Sequence, residues 1–347
     1  MIQENVPLAP LTTLQVGGPA RYFAEAATEE DVREAVEFAN RRALPLFVMG
    51  GGSNLVVADA GWKDLALKIA IGGVTSRREH DALLFDVGAG ANWDEFVAQA
   101  VVQNCAGVEC LSGIPGSVGG TPVQNVGAYG QEVAETIESV RALDRKEDRA
   151  VILPNDACGF RYRGSIFNST ERGRYIILRV SYRLTPGGPP KLKYADLRTY
   201  FAARTHQPSL AEVREAVLQI RQSKGMRIVP GDPDCRSVGS FFKNPVLSES
   251  QFADLVGCAE GRGLQIPAYP APDAQRKVSA AWLVEHSGFS KGFTLGAAGI
   301  SHKHALALIN TGTARAADII RLKERIQQGV QEAWGVLLEP EPEFVGF

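Results

Sequence analysis

The sequence predicts an α+β fold with more than one domain. Amphipathic helical segments alternate with short apolar strands near the N-terminus, and the middle third is rich in strand patterns. The length of 347 residues exceeds what a single small core usually serves. Hydrophobic residues make up 45% of the chain, an ordinary share for a globular protein. We therefore expect two or three layers of helices and sheets, divided among two or three domains.

The N-terminal half alternates helix and strand before it becomes β-rich. Residues 28–43 are predicted to form the first helix, because Thr28 and Asp31 have the spacing of a capping pair and apolar residues follow at helical intervals. A short apolar strand that ends in glycines comes next. A strand at 82–90 leads into a second helix, and the segment 137–184 shows the patterns of a sheet.

The C-terminal half begins with a linker-like segment, TPGGPPK, at 185–191. Beyond it, 209–225 is predicted to be a helix that is capped by Ser209 with Glu212 and ends at Gly225, and 313–335 a long amphipathic helix. The last residues, VLLEPEPEFVGF, place apolar side chains on both sides of the glutamates. The chain end is therefore predicted to pack against an earlier sheet.

Charge and composition exclude several classes of protein. The net charge is −2 with acids and bases interspersed, which argues against a nucleic-acid partner. No apolar run approaches the roughly 18–20 residues of a membrane span, and the first residues lack the features of a signal peptide. Five cysteines without a CxxC pair indicate reduced thiols, and His302 and His304 have no third metal ligand nearby. We expect a cytoplasmic monomer without metal or membrane insertion.

Two glycine-rich segments are the strongest local signal. MGGGSNLVV at 49–57 and LSGIPGSVGGTPVQNVGAYG at 111–130 contain no charged side chain. Such loops let backbone N–H groups approach a phosphate, although one loop alone is more simply a tight turn. Two of them beside apolar strands favour a large polyanionic cofactor with a planar ring. A P-loop is absent, and the dinucleotide fingerprint is incomplete in VGAGANW.

Other residues are candidates for chemistry. GFSKG at 288–292 matches the nucleophile elbow, but a helix precedes the serine where a strand is needed, so hydrolase chemistry is not expected. Arg161 and Arg163 lie among aromatic residues, where a guanidinium suits a carboxylate or an enolate, although a surface arginine would look the same. Ser240, in GSFFKNP, is either a turn cap or a reactive hydroxyl. Glu341, in LEPE, is predicted to be packed rather than loose.

Together these motifs resemble those of one bacterial family, the UDP-N-acetylenolpyruvoylglucosamine reductases. The similarity extends over almost the whole chain, with six motifs in the family's order: NVPLAPLTTLQVGGPA, GGGSNLVV, IPGSVGGTPVQNVGAYG, FRYRGSIF, GSFFKNP and LEPE. The resemblance implies an FAD-binding fold of the vanillyl-alcohol-oxidase (PCMH) type with a smaller α+β substrate-binding domain.

The resemblance also implies the activity. It implies NADPH-dependent, FAD-mediated reduction of UDP-N-acetylglucosamine enolpyruvate to UDP-N-acetylmuramate in peptidoglycan precursor synthesis. Hydride is expected to pass from flavin N5 to the vinyl C3. Ser240 is implied as the general acid that protonates C2, and Arg163 and Glu341 as the residues that polarise the substrate carboxylate.

The same resemblance implies contacts with FAD and with the nucleotide part of the substrate. Tyr194, Lys224 and Asn244 are the implied substrate contacts, chiefly around the diphosphate, and LKYADL implies the form of the enzyme with a tyrosine loop over the substrate. The implied FAD contacts are Gly50, Gly51, Gly52, Ser53, Asn54, Ile114, Pro115, Gly120, Thr121, Asn125 and Gly127.

The implied domain division has three parts. Residues 1–70 would form the first FAD-binding subdomain, completed by a tail at about 335–347. Residues 71–222 would form the second FAD-binding subdomain, and 223–334 the substrate-binding domain. The sequence departs from the family at Gly164, where aspartate often follows the arginine, and in the loop between Lys224 and Ser240, which is longer than in the shortest members of the family.

Two alternatives remain open from the sequence. A flavin-dependent oxidase of an alcohol or sugar would share the glycine loops, but it would not need Ser240 and Glu341 together. A non-enzymatic nucleotide-sugar sensor would keep the loops and would have no use for a proton donor. The joint presence of the serine, arginine and glutamate motifs favours the reductase.

Overall fold

The strands and helices of residues 2–347, which the computed structural model describes, follow the predicted α+β pattern. In chain order the strands are β1 (Gln3–Pro7), β2 (Pro19–Ala26), β3 (Leu46–Met49), β4 (Leu55–Val57), β5 (Trp62–Ile69), β6 (Val74–Glu79), β7 (Ala82–Gly88), β8 (Cys105–Ala106), β9 (Gly127–Ala128), β10 (Gln131–Glu132), β11 (Ile137–Asp144), β12 (Arg149–Pro154), β13 (Tyr175–Pro186), β14 (Ser237–Ser240), β15 (Val246–Leu247), β16 (Ala268–Pro270), β17 (Arg276–Val278), β18 (Thr294–Leu295), β19 (Ala298–Ile300), β20 (Ala307–Asn310) and β21 (Glu343–Val345). The helices are α1 (Glu29–Arg41), α2 (Trp93–Val102), α3 (Ala195–Tyr200), α4 (Leu210–Ser223), α5 (Glu249–Glu260), α6 (Ala280–Glu285) and α7 (Ala316–Trp334).

Contacts divide the chain into two units. Within the described residues, unit 1 contains 2–6, 20–52 and 62–223, and unit 2 contains 7–19, 53–61 and 224–347. Two short N-terminal segments therefore belong to the same unit as the C-terminal third. The division into two FAD-binding subdomains and a substrate domain stays a prediction.

Unit 1 is built on two sheets. One has the order β1-β2-β5-β3, with β2 and β3 each parallel to β5, and the other contains the antiparallel order β12-β11-β13-β7-β6. Helix α1 begins at the predicted capping pair: Asp31 N–H donates to the Thr28 side chain, and the Asp31 carboxylate accepts from Thr28 N–H. Its buried face is aliphatic. Trp93, Phe96 and Tyr182 pack together in the core of this unit.

Unit 2 contains the sheet β14-β20-β19-β18 and the smaller sheet β15-β17-β16. Helix α7 packs its apolar stripe, Ile319, Leu322, Ile326 and Val330, into the core, and all four side chains are fully buried. At its start, Asp59 accepts hydrogen bonds from the N–H groups of the first two helical residues. The chain end returns as predicted, because β21 pairs in parallel with β4.

None of the helices within residues 2–347 combines the length and apolar character needed to cross a bilayer. Over that range, no group of three or more His, Cys, Asp or Glu side chains is arranged to hold a metal ion.

Candidate active site

The serine motif and the glutamate motif lie side by side in unit 2. Glu341 N–H donates to the carbonyl of Phe241 at 2.8 Å, and Lys243 N–H donates to the carbonyl of Glu339 at 2.9 Å. Phe242 and Pro340 form an antiparallel bridge between these bonds. The segment that follows Ser240 is thus paired with LEPE, although the two are far apart in sequence. This pairing places Ser240 next to the residue that faces Glu341.

A β-bulge immediately precedes Ser240. Ser237 pairs with Ile309 and Ser240 with Ala307, so β14 has one residue more than β20 over this stretch. Gly239 supplies the extra residue in a left-handed conformation with φ of +74°. Bulges of this kind redirect the side chain that follows. The glycine of the motif is therefore explained by the backbone that presents Ser240.

The Ser240 hydroxyl does not cap a turn. Its residue is half-buried, whereas Phe241 and Phe242 are fully buried in the core of unit 2. Within residues 2–347 no hydrogen bond joins the Ser240 hydroxyl to another protein group, in contrast to Ser237, whose hydroxyl accepts from Gly239 N–H. The structure therefore does not support the alternative that Ser240 is a backbone cap.

Glu341 is fixed through its backbone. The Asn54 side chain donates to the Glu341 carbonyl at 3.2 Å, and Glu343 N–H donates to the Asn54 carbonyl at 2.9 Å. Asn54 belongs to the first glycine-rich loop and was predicted to contact the cofactor. It also holds the LEPE segment, a role that the sequence did not indicate.

Arg163 occupies a tight turn in unit 1. Arg161 and Gly164 exchange backbone hydrogen bonds of 2.9 and 3.0 Å, which leaves Tyr162 and Arg163 at the corner. Arg163 has φ of +51°, a left-handed conformation that costs a non-glycine residue about 1–2 kcal/mol. Its Nη2 donates to the carbonyl of Gly127 at 2.9 Å. Strained backbone of this kind is concentrated at functional sites.

Gly164, the departure from the family pattern, has a local explanation. A Cβ atom placed there would lie 3.0 Å from Nε and 3.1 Å from Cγ of Arg161. The Arg161 side chain thus occupies the space next to Gly164 that the Cβ of an aspartate would need. Aspartate here would require Arg161 to move.

The two glycine-rich loops approach each other closely in unit 1. Gly51 N–H donates to the Ser117 hydroxyl at 3.3 Å. A Cβ on Gly50 would lie 2.3 Å from that hydroxyl, and one on Gly51 would lie 2.7 Å from Cα of Gly116. Gly120 is exposed with open space beside it. Side-chain-free backbone therefore lines this region, as close approach to a pyrophosphate or a planar ring requires, so the residues fit FAD.

The other predicted FAD contacts differ in how their side chains are used. Gly52 lies in the first loop at φ of +68°, and Ile114, Pro115 and Gly127 are half-buried. The Thr121 hydroxyl is buried and bonded to the Val118 carbonyl and to the Tyr182 hydroxyl. Asn125 is buried, and its amide contacts protein groups.

Ser53 lies in unit 2, where its carbonyl accepts from the Thr13 hydroxyl.

Tyr194 lies over the end of the second glycine loop. Its ring packs edge to face against Tyr129, with centroids 5.4 Å apart, and it is 44% exposed. A Cβ on Gly130 would lie 3.8 Å from the Tyr194 backbone nitrogen. The predicted tyrosine loop therefore sits on the predicted cofactor loop within unit 1.

Lys224 and Asn244 both belong to unit 2. The Asn244 side-chain oxygen accepts from Ala280 N–H at 2.9 Å, at the start of α6. Burial, together with the charges of Lys224 and Lys291, lowers the pKa of His304 to about 4. Lys224 is thus part of a basic region that keeps His304 neutral.

Two family models match different parts of the chain. The family model described as UDP-N-acetylenolpyruvoylglucosamine reductase, C-terminal domain, matches residues 232–345, and the FAD binding domain model matches residues 20–150. The UDP-N-acetylenolpyruvoylglucosamine reductases of Thermobifida fusca and Streptomyces coelicolor are 45% and 44% identical to this chain, cover 99% of it, and are themselves covered to 98% and 91%.

A solved structure extends the similarity to the fold. The crystal structure of UDP-N-acetylenolpyruvylglucosamine reductase from Thermus caldophilus matches with a TM-score of 0.67 at 27% identity, covering 99% of this chain and all of that one. The fold and the site thus define an α+β protein of the FAD-binding class, as the sequence predicted. The chain belongs to the UDP-N-acetylenolpyruvoylglucosamine reductase family.

Proposed function

We propose that this chain reduces UDP-N-acetylglucosamine enolpyruvate to UDP-N-acetylmuramate with electrons from NADPH, and that Ser240, Arg163 and Glu341 carry the chemistry. The observation that carries the proposal is the backbone pairing of the segment after Ser240 with the segment that ends in Glu341. A flavin-dependent oxidase of alcohols would not need Ser240 and Glu341 together.

The reaction adds a hydride and a proton across the vinyl bond of the substrate. FAD held by the glycine-rich loops would provide the hydride chemistry, with NADPH as the source of the electrons. Ser240 gives its hydroxyl proton to C2, where negative charge develops as the hydride reaches C3. An alcohol is a weak acid, but a carbon base of this strength makes the transfer favourable. The oxygen that remains on Ser240 then recovers a proton from solvent.

Arg163 and Glu341 act on the enolpyruvyl carboxylate, over which the charge at C2 spreads. A guanidinium is always protonated and binds a carboxylate through paired N–H groups. Glu341 contributes favourably only as the neutral acid, since two carboxylates repel each other. Donors that are already in place when the charge develops lower the barrier without reorganisation.

The remaining predicted contacts divide between cofactor and substrate. The glycine loops, with Ile114, Pro115, Gly120 and Gly127, are proposed to hold FAD, and Tyr194, Lys224 and Asn244 the diphosphate of the substrate. The proposed FAD-binding part is 1–222 with the tail, and 223–334 is the proposed substrate-binding domain. The matched ranges 20–150 and 232–345 support an N-terminal FAD-binding part and a separate C-terminal part, without bearing on the place of the tail. We propose a cytoplasmic location, which the five free cysteine thiols support, and a monomeric state.

One anaerobic titration tests the activity. The visible spectrum of the FAD-loaded protein is recorded, NADPH is added, and the enolpyruvyl substrate follows. The flavin bands are expected to bleach with NADPH and to return with the substrate. Bands that return only when oxygen is admitted would identify the flavin-dependent oxidase instead. A protein that fails to take up FAD would contradict the assignment of the glycine loops.

The bulge before Ser240 gives a second prediction. Gly239→Ala adds a Cβ whose nearest neighbour is the Met226 sulfur at 3.9 Å, so it creates no clash. The left-handed backbone nevertheless costs about 1–2 kcal/mol, which is expected in the free energy of unfolding from urea titration. Reoxidation of the reduced flavin by the substrate is expected to slow, because Ser240 is displaced when the bulge relaxes.

A matched control is Gly335→Ala. Gly335 ends α7 with φ of +68° and has open space beside it. Alanine there has the same unfavourable left-handed conformation, but outside the serine motif. This variant is expected to lose similar stability with normal reoxidation. Normal reoxidation in Gly239→Ala as well would show that Ser240 does not depend on the bulge.

A further inference from the structure

The side chain of Asn125 is fully used inside the protein. Its Nδ2 donates to Glu132 Oε2 at 2.8 Å and to the Arg161 carbonyl at 3.1 Å, and its Oδ1 accepts from Ala134 N–H at 3.1 Å. A primary amide has two N–H donors, and both are engaged. The residue is 1% exposed. No donor of this side chain is left to reach a phosphate.

The orientation of this amide is set by its partners. Ala134 N–H can only donate, so it requires the oxygen of Asn125, while the Glu132 carboxylate and the Arg161 carbonyl require the nitrogen. Asn125 also has φ of +44°, a left-handed conformation that asparagine tolerates better than most residues. Both the backbone and the side chain therefore specify asparagine here.

What Asn125 holds is the turn that carries Arg163. The Arg161 carbonyl accepts from Asn125 and also from Gly164 N–H, the bond that closes the turn. At the other end of the arginine, Nη2 donates to the carbonyl of Gly127, two residues beyond Asn125. The backbone and the guanidinium of Arg163 are thus both fastened to the segment 125–127.

We propose that Asn125 is a positioning residue for Arg163 and that its side chain does not bind FAD. Its amide holds the Arg161 carbonyl at the base of the strained turn. The left-handed conformation of Arg163 is thereby maintained, and its guanidinium stays oriented towards the substrate carboxylate. This inference rests on the proposed function of Arg163. It replaces the role as an FAD contact that the glycine-rich motif had suggested for the side chain.

Asn125→Asp tests the amide donors with little change in shape. Aspartate also tolerates the left-handed conformation and can accept from Ala134 N–H, but an ionised carboxylate cannot donate to the Arg161 carbonyl. FAD affinity, from fluorescence titration of the apoprotein, is expected to stay within about threefold of wild type, and flavin reduction by NADPH to be unchanged. Reoxidation by the enolpyruvyl substrate is expected to slow by about 10–100-fold, the effect of a misplaced group. An FAD affinity weakened tenfold or more would overturn the proposal.

A double variant distinguishes the loss of the hydrogen bond from Asn125 to Glu132 from the loss of the one to the Arg161 carbonyl. In Asn125→Asp/Glu132→Gln, the new glutamine amide can donate to the aspartate, which removes the repulsion between carboxylates. The contact to the Arg161 carbonyl stays broken, so reoxidation is expected to remain slow. Glu132→Gln alone is the control and should behave like wild type. Full recovery in the double variant would assign the effect to the charge of Glu132 and overturn the inference.

The effect of Asn125→Asp is finally measured in the Arg163→Ala protein and compared with its effect in the wild-type protein. In Arg163→Ala, adding Asn125→Asp is expected to slow reoxidation by less than about twofold, because groups that act through one another do not add. If the double variant slowed reoxidation by the product of the two single effects, the inference would be overturned while the role of Arg163 stayed intact. Normal reoxidation in Arg163→Ala alone would refute the proposed role of Arg163, and the inference with it. Should Asn125→Asp not fold, Asn125→Gly removes the same donors at a conformation that glycine accepts.

Discussion

Ser240→Ala is expected to leave flavin reduction by NADPH almost unchanged and to slow reoxidation by the enolpyruvyl substrate by a factor of about 10²–10⁴, the usual contribution of a general acid. The two half-reactions separate because only the second requires a proton at carbon. The Ser240 hydroxyl has no hydrogen-bond partner within residues 2–347, so its removal leaves no buried group unsatisfied. The free energy of unfolding should therefore change by less than about 0.5 kcal/mol, as at ordinary surface positions.

Anaerobic stopped-flow absorbance at the flavin bands measures each half-reaction separately. Ser290→Ala is the matched control, because it removes an exposed hydroxyl from the same unit, in the segment GFSKG, which has no proposed role. It should leave both rates unchanged. If Ser240→Ala slowed both half-reactions equally, Ser240 would be needed for the architecture of the site rather than for proton transfer.

Arg163→Ala and Arg163→Gly are expected to slow reoxidation equally, by about 10²–10³, the cost of removing one preorganised donor. Their stabilities should differ, because the residue has φ of +51°. Glycine adopts this conformation freely and alanine does not, so the glycine variant should be more stable than the alanine variant by about 1 kcal/mol. The arginine is thus predicted to be retained for chemistry at the expense of backbone strain.

Urea unfolding of the two variants, together with the two half-reaction rates, provides the measurement. Both variants lose the hydrogen bond from Nη2 to the Gly127 carbonyl, so that loss cancels in their comparison. Equal stabilities would show that the turn is not strained in solution. A glycine variant that retained fast reoxidation would remove Arg163 from the chemistry.

Local interactions made much of the secondary structure predictable. The helix predicted at 28–43 forms as Glu29–Arg41, the one at 209–225 as Leu210–Ser223, and the one at 313–335 as Ala316–Trp334. The first two begin at the predicted capping residues, since Ser209 and Glu212 exchange the expected hydrogen bonds. Caps and apolar periodicity act within a few residues, so a single sequence contains them in full.

The sequence could not show how distant segments combine. GSFFKNP and LEPE were recognised as separate motifs, but their backbone pairing depends on the packing of unit 2 as a whole. Gly239 had a local signal, a glycine inside a strand before a polar residue, which is typical of a bulge. Asn125 had no such signal, because its partners Glu132, Ala134 and Arg161 are fixed only in the folded chain.

The sequence by itself determined the α+β class, the main helices, the glycine-rich loops and the family. These follow from local periodicity, capping and motifs, which involve residues close together in the chain. Only the tertiary structure decided that the segment after Ser240 pairs with the one ending in Glu341, and that the Asn125 amide is committed to the Arg163 turn. Such contacts form between segments that are distant in sequence. The packing of the whole unit determines which segments pair, and no local sequence pattern indicates the partner.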